Sequence, residues 1–257
     1  MQFFNHMSGK HLEIDGAEIY YEVQGNEGGE PIVFLHGGFG SIEDFNPILA
    51  DMGQTYKLIG IDSRGQGMSS LGTEELTYKR LEMDIAAVLR YLDIGPVNII
   101  GHSDGGITAL RLAAAGDIDI RKVVTIGAHW ELKTEDPTRA LYSEVTPEGW
   151  REVFPDSYER YQSLNPQPNF ERLTRQLVGL WLDSSDSGYP GATVRNIDCE
   201  LLVVRGDDDM LVSRTNAVDL VEQVPGAKLM NLPFCGHSPH EEQPDITLWA
   251  INKFLTT

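Results

Sequence analysis

A lone serine stands between glycines in GHSDGG (101–106), directly behind the strand-forming run PVNII and ahead of the helix-forming ITALRLAAAG. A serine hydroxyl is a weak nucleophile until a base takes its proton and the backbone holds it toward a substrate. Gly101-His102-Ser103-Asp104-Gly105 fits a Gly-x-Ser-x-Gly pattern, whose glycines permit a strained strand-to-helix turn. The pattern predicts Ser103 as nucleophile, raised at the carboxyl edge of a sheet, where the free N–H groups of a helix start favour developing negative charge. In a chain with 26 glycines the pentapeptide recurs by chance. The strand before it and the helix after it are what give it weight.

Such a serine needs a base, and LMNLPFCGHSPHEEQPD supplies one in a loop behind the last strand. His237 lies nearest the strand end and is the predicted base. His240 is its competitor and is assigned to the first turn of a helix starting around Glu241. The two lack a third ligand nearby and do not form a zinc site. The base needs a carboxylate to fix its tautomer and stabilise the imidazolium. Asp207-Asp208-Asp209 follows the run ELLVVRG, and Asp209 is the predicted orienting acid with Asp208 as the alternative. The remaining acidic positions read as a solvated turn or a helix cap. The resulting chain order is Ser, Asp, His.

A tetrahedral intermediate carries an oxyanion that asks for two preorganised N–H donors. One is the backbone of Asp104. The other is expected from HGGFG (36–40), through Gly38 or alternatively Phe39, while His36 is expected to be a buried scaffold residue.

These groups can meet only if a sheet edge gathers them. LEIDG and AEIYYEVQG predict a hairpin around Asp15-Gly16, and PIVFLHG, YKLIGID, VNIIGHS, RKVVTIGA, ELLVVRG and AKLMNLP predict six further strands. Leu81, Ile85, Val88, Leu89 and Leu92 recur at helical spacing within 74–92, as do Ala217, Val218, Val221 and Val224, and Ile246, Trp249, Ala250 and Phe254. Near-continuous apolar strands alternating with one-faced helices imply an α/β architecture: a mostly parallel sheet covered on both faces, with its ligand beyond the carboxyl ends of the strands. The alternation fails once, over 131–196, where charges, prolines and aromatics mix. That segment is expected to be an inserted helical lid between a core of residues 1–130 and its continuation over 197–257.

The 257 residues suit one large domain of this kind. A formal charge of −19, with no compensating basic stripe, argues against nucleic acid and anionic membrane as partners. The longest apolar runs are strand-sized and MQFFNHMSGK lacks the features of a signal peptide, so a cytoplasmic protein is expected. Cys199 and Cys235 lie outside any redox or zinc spacing and read as buried thiols. No dinucleotide cofactor is expected, because no glycine-rich nucleotide loop in the right form follows the first core strand, and no metal is expected, because the histidines lack a third ligand. The expected partner is a small-molecule substrate; monomer and homodimer stay open.

His36-Gly37-Gly38, IDSRGQGMS (61–69), GHSDGG, RGDDD and GHSPH together resemble the α/β-hydrolase superfamily, from Leu12 onward. The resemblance implies an eight-stranded sheet, a helical lid and the Ser103–Asp209–His237 triad, with Asp62, Arg64 and Ser69 as scaffold. More narrowly, SDGGITAL (103–110) is similar to the nucleophile region of biphenyl-hydrolase-like or valacyclovir-hydrolase-like serine esterases, which cleave α-amino-acid esters. That likeness implies a substrate-binding role for Asp104, facing an amino group; Phe39 is the second candidate substrate-binding residue. His102 departs from the tryptophan typical of that group. The same apparatus would serve a carbon–carbon bond hydrolase, a lactonase or an amidase, and the fold also permits a small-molecule receptor with little turnover.

Overall fold

The structure is a computed structural model that describes residues 3–49 and 52–257. The chain opens with a hairpin of β1 (Lys10–Ile14) and β2 (Ala17–Gly25). Asp15 and Gly16 both take positive φ, 46° and 74°, as the tightest right-twisted hairpin turns require. Then come β3 (Pro31–Leu35), β4 (Lys57–Ile61), β5 (Val97–His102), β6 (Ile120–Ile126), β7 (Glu200–Gly206) and β8 (Lys228–Leu232). They form one eight-stranded sheet in the order β1-β2-β4-β3-β5-β6-β7-β8. β2 runs antiparallel to both its neighbours, and all the pairings from β4 to β8 are parallel.

Side chains alternate across a strand, and here both faces of the sheet are apolar. Val33, Ile59, Ile99, Val123 and Val203 point to one face, against helices α3 (Tyr78–Leu92), α4 (Asp104–Ala115) and α9 (Arg214–Gln223). Ile32, Leu58, Ile100, Val124 and Leu202 point to the other, which is covered by the short α1 (Asn46–Leu49) and the C-terminal α11 (Pro244–Thr256). Each such side chain, fully buried, contributes about 1.5–3 kcal/mol, so the two faces lock the strand register and with it the level of the strand ends. Another short helix, α2 (Met52–Thr55), precedes β4. No helix among the described residues is long and apolar enough to cross a membrane.

The helix predicted within 74–92 starts at Tyr78. Thr77 ends the preceding extended chain and accepts a hydrogen bond from the Arg80 N–H, a cap that apolar spacing does not register. The C-terminal helix is likewise divided: α10 (Pro239–Glu242) precedes α11, and each begins on a proline.

Between β6 and β7 the chain forms α5 (Thr138–Ser143), α6 (Pro147–Val153), α7 (Pro155–Leu164) and α8 (Phe170–Leu182). α8 buries Phe170, Leu173, Leu177, Leu180 and Trp181, an apolar stripe of helical period. The stripe packs on Phe39, Leu76, Tyr78, Leu81 and Ile107, so these helices sit over the carboxyl edge of the sheet. Behind α7, the Asn165 amide donates to the carbonyls of Gly65, Gly67 and Ser69. Those carbonyls belong to the turn after β4, itself held by Asp62, which accepts from the N–H groups of Ile42 and Met68, and by Ser69, which donates to the Asp62 carbonyl. Arg64 is sealed inside on a two-pronged pair with Asp84.

Candidate active site

Ser103 sits between the end of β5 and the start of α4 with φ 47° and ψ −116°, a conformation that L residues avoid. Neighbouring segments enforce it. A Cβ on Gly105 would lie 1.9 Å from the Leu35 carbonyl oxygen, so only glycine lets α4 approach β3 this closely. The Ser103 N–H donates to Ile126 of β6 and its carbonyl accepts from the Ile107 N–H. A serine at a helix N-cap usually spends its hydroxyl on the helix. Ser103 does not, and its side chain makes no cap bond.

The loops after β7 and β8 bring Asp209 and His237 together. His237 Nδ1 lies 2.9 Å from Asp209 Oδ2, and the other carboxylate oxygen accepts from the N–H groups of Leu211 and Val212 at 2.8 and 3.0 Å. The Asp209 carboxylate is fully buried. Burial alone would push its pKa up, but the hydrogen bond and charge of His237 and the two backbone N–H groups hold it below the usual carboxylate value. Asp208 is exposed, and Asp207 is taken by Arg214 and Asn231. Arg205, buried at the end of β7, donates to the carbonyls of Asp209 and Val212 and so fixes the acid's loop. Sequence reasoning missed it; the one signal was an arginine inside an otherwise apolar strand.

Ser103, His237, Gly38 and His102 line a cavity of about 150 Å³. The rest of its lining is Leu141, Tyr142, Val145, Trp150, Trp181 and Leu211. His36 shapes the rim at Gly38. It is wholly buried, and its Nε2 accepts from the Ser63 N–H, which leaves the proton on Nδ1, bonded 2.7 Å from the Gly37 carbonyl. The Gly40 N–H binds the same oxygen. In a trans peptide the N–H points opposite its carbonyl, so these two bonds fix the Gly38 N–H facing away from His36 Nδ1 and the Gly40 N–H.

Two expectations about substrate contacts meet a different arrangement. The Asp104 carboxylate is buried behind the cavity wall, with Tyr78 Oη 2.7 Å from Oδ1 and Trp181 Nε1 at 2.9 and 3.1 Å from its two oxygens. Phe39, at φ 58°, packs its ring on Trp150, Phe170 and Trp181 with centroids 4.1, 5.3 and 5.9 Å apart. Neither side chain lines the cavity. Each lies at the seam between core and insertion, where apolar packing and indole hydrogen bonding outcompete an open orientation.

His240 falls in α10, fully buried with its ring 4.5 Å from that of His102 and 5.1 Å from Phe45. Burial, together with the nearby charge of His237, pushes its pKa down to about 3. His102 Nε2 approaches the His237 carbonyl at 3.2 Å and ties the loop of one to the strand of the other. The Cys235 thiol is buried and pushed up to about 11, so it is not a thiolate at neutral pH.

Comparison with known proteins agrees with this architecture. Mouse serine hydrolase BPHL is 28% identical over 256 residues, 95% of this chain and 85% of that protein. Esterase YbfF of Escherichia coli K12 is 26% identical, covering 91% of this chain and 96% of its own. The meta-cleavage product hydrolase CumD of Pseudomonas fluorescens IP01 superposes with a TM-score of 0.81 over 98% of this chain and 99% of that one, at 18% identity, a likeness of fold. Residues 32–248 match the alpha/beta hydrolase family as a whole. With the match spanning most of the chain and the sheet built as that family builds it, the chain belongs to the alpha/beta hydrolase family and is a hydrolase.

Proposed function

We propose that the protein is a serine esterase that cleaves small carboxylic esters through an acyl-enzyme. The observation that carries this is the pairing of His237 Nδ1 with the buried Asp209 at the rim of the cavity into which Ser103 opens. Because Asp209 accepts a hydrogen bond from Nδ1–H and holds that proton on Nδ1, Nε2 is the nitrogen left to accept from Ser103.

Ser103 Oγ gives its proton to His237 Nε2 and attacks the ester carbonyl. The N–H groups of Gly38 and Asp104 receive the oxyanion, the latter from the first turn of α4, where helix N–H groups have no internal partner. Collapse of the tetrahedral intermediate expels the alkoxide, which takes the proton back from His237. A water then repeats the sequence on the acyl-enzyme and returns Ser103 and a carboxylic acid. The helices over 131–196 serve as the lid, excluding water and lining part of the cavity.

Replacing Ser103 by alanine is expected to abolish turnover of p-nitrophenyl acetate and labelling by a fluorophosphonate while circular dichroism stays that of the wild type. Turnover that persists in the variant sinks the mechanism.

A further inference from the structure

We propose that Asp104 and Trp181 form a pair that fixes one wall of the cavity, and that the site admits esters whose buried group is compact, apolar and uncharged, and turns away those bearing an amine. This deepens the esterase reading and rests on it. Asp104 follows the nucleophile directly, where a carboxylate could hold a cationic amine, yet only 2% of it is exposed. Oδ1 accepts from Tyr78 and Trp181, and Oδ2 accepts from the same indole N–H. An ammonium group could reach it only by displacing the indole of Trp181 or the Gly38 loop pressed against it. Trp181 is set in α8 beside Leu177 and Leu180, both without solvent exposure, so its displacement would lift the helix.

No gap exists for a smaller approach. A Cβ on Gly38 would stand 2.8 Å from both Asp104 Oδ2 and Trp181 Cζ2, so the loop, the carboxylate and the indole already touch. The wall groups are Leu141, Tyr142, Val145, Trp150, Trp181 and Leu211, and no Asp, Glu, Lys or Arg lines the cavity among the described residues. A cation there would lose its water and gain no counter-charge. The volume, about 150 Å³, matches that of an apolar cavity known to hold a benzene ring, so a group of about six carbons fills it. Asp104 is therefore a positioning residue acting through Trp181, and Trp181 is the specificity-determining one.

Ethyl 3-methylbutanoate and L-valine ethyl ester differ at the buried group by the amine alone. At pH 7 the wild type is expected to favour the neutral ester by at least about tenfold in kcat/KM, because the ammonium group would give up its water without gaining a partner. Asp104→Asn should alter both rates by a similar factor and leave their ratio in place, and Trp181→Ala should move the preferred acyl length upward across a p-nitrophenyl ester series. Binding by Ser103→Ala, followed through the change in intrinsic fluorescence to which Trp150 and Trp181 of the cavity contribute, repeats the comparison without turnover and without disturbing the pair. Tighter binding of the valine ester there, lost when Asp104→Asn is added, overturns the proposal and leaves the esterase mechanism untouched. Persistent turnover by Ser103→Ala removes the mechanism, while the binding preference still decides what the cavity accepts.

Discussion

Asp209 and Asp208 are adjacent in the chain, yet one carboxylate is enclosed by His237 and two backbone N–H groups and the other faces solvent. An amide at position 209 would keep the size but could present its NH2 to Nδ1, favouring the wrong tautomer and giving the imidazolium no counter-charge. Asp209→Asn is expected to lower kcat by about 10³–10⁴-fold, and Asp208→Asn to change it less than about twofold, read from initial rates on one activated ester. That Asp209 and not Asp208 would meet His237 was legible because a strand end followed by an acidic loop leaves few positions within reach of the sheet edge. The fate of the Asp104 side chain was not legible. Its direction is decided by an indole donor 77 residues away, and nothing local to SDGG announces that meeting. Arg205 escaped for a similar reason: its hydrogen-bond partners lie in the loop that it organises.

Elements were easier to read than their seams. Strand positions followed from β-branched runs and proved correct to within a residue or two, since two apolar faces tolerate no slip. Helix starts were blurred where a polar cap rather than an apolar residue defines them, as at Thr77. The interval between β6 and β7 was recognisable by its lost alternation. How its helices attach was only partly legible: the apolar stripe of α8 shows as helical spacing, but one fastening is polar and distant. Asn165 shows this: its buried amide serves three carbonyls of the turn after β4, roughly 100 residues back. Asn165→Ala leaves those oxygens without their donor, at a cost of about 1–3 kcal/mol. The expected outcome is a melting temperature lower by several degrees, with faster proteolytic cutting within 138–182 than within the sheet, followed by mass spectrometry of the fragments.

Across the whole molecule, buried histidines of opposite character set how stability depends on pH. His129 and His240 are pushed down by burial to about 4 and about 3, and His102 lies well below its ordinary value for the same reason. The unfolded chain protonates these rings below about pH 6.5 and the fold resists doing so, hence stability falls as pH drops from 6.5. His6 behaves in the reverse way. Burial would lower it, but Asp62 and Glu43, at 2.8 and 2.7 Å, outweigh burial and raise it to about 9. Its contribution, about 3 kcal/mol by the same linkage, is complete below pH 6.5 and vanishes as pH rises through 9. Melting temperature against pH should therefore peak near pH 6.5. His6→Gln is expected to flatten the alkaline side and His240→Phe the acid side; a variant profile parallel to the wild type would contradict the assignment. Strand order carries one more consequence. β7 and β8 join the sheet last, at the flank of β6, and on the proposed assignment they bring both the acid and the base. A growing chain thus exposes its reactive hydroxyl to the cell more than a hundred residues before anything can activate it, and the newborn protein stays chemically silent until its final strands have docked.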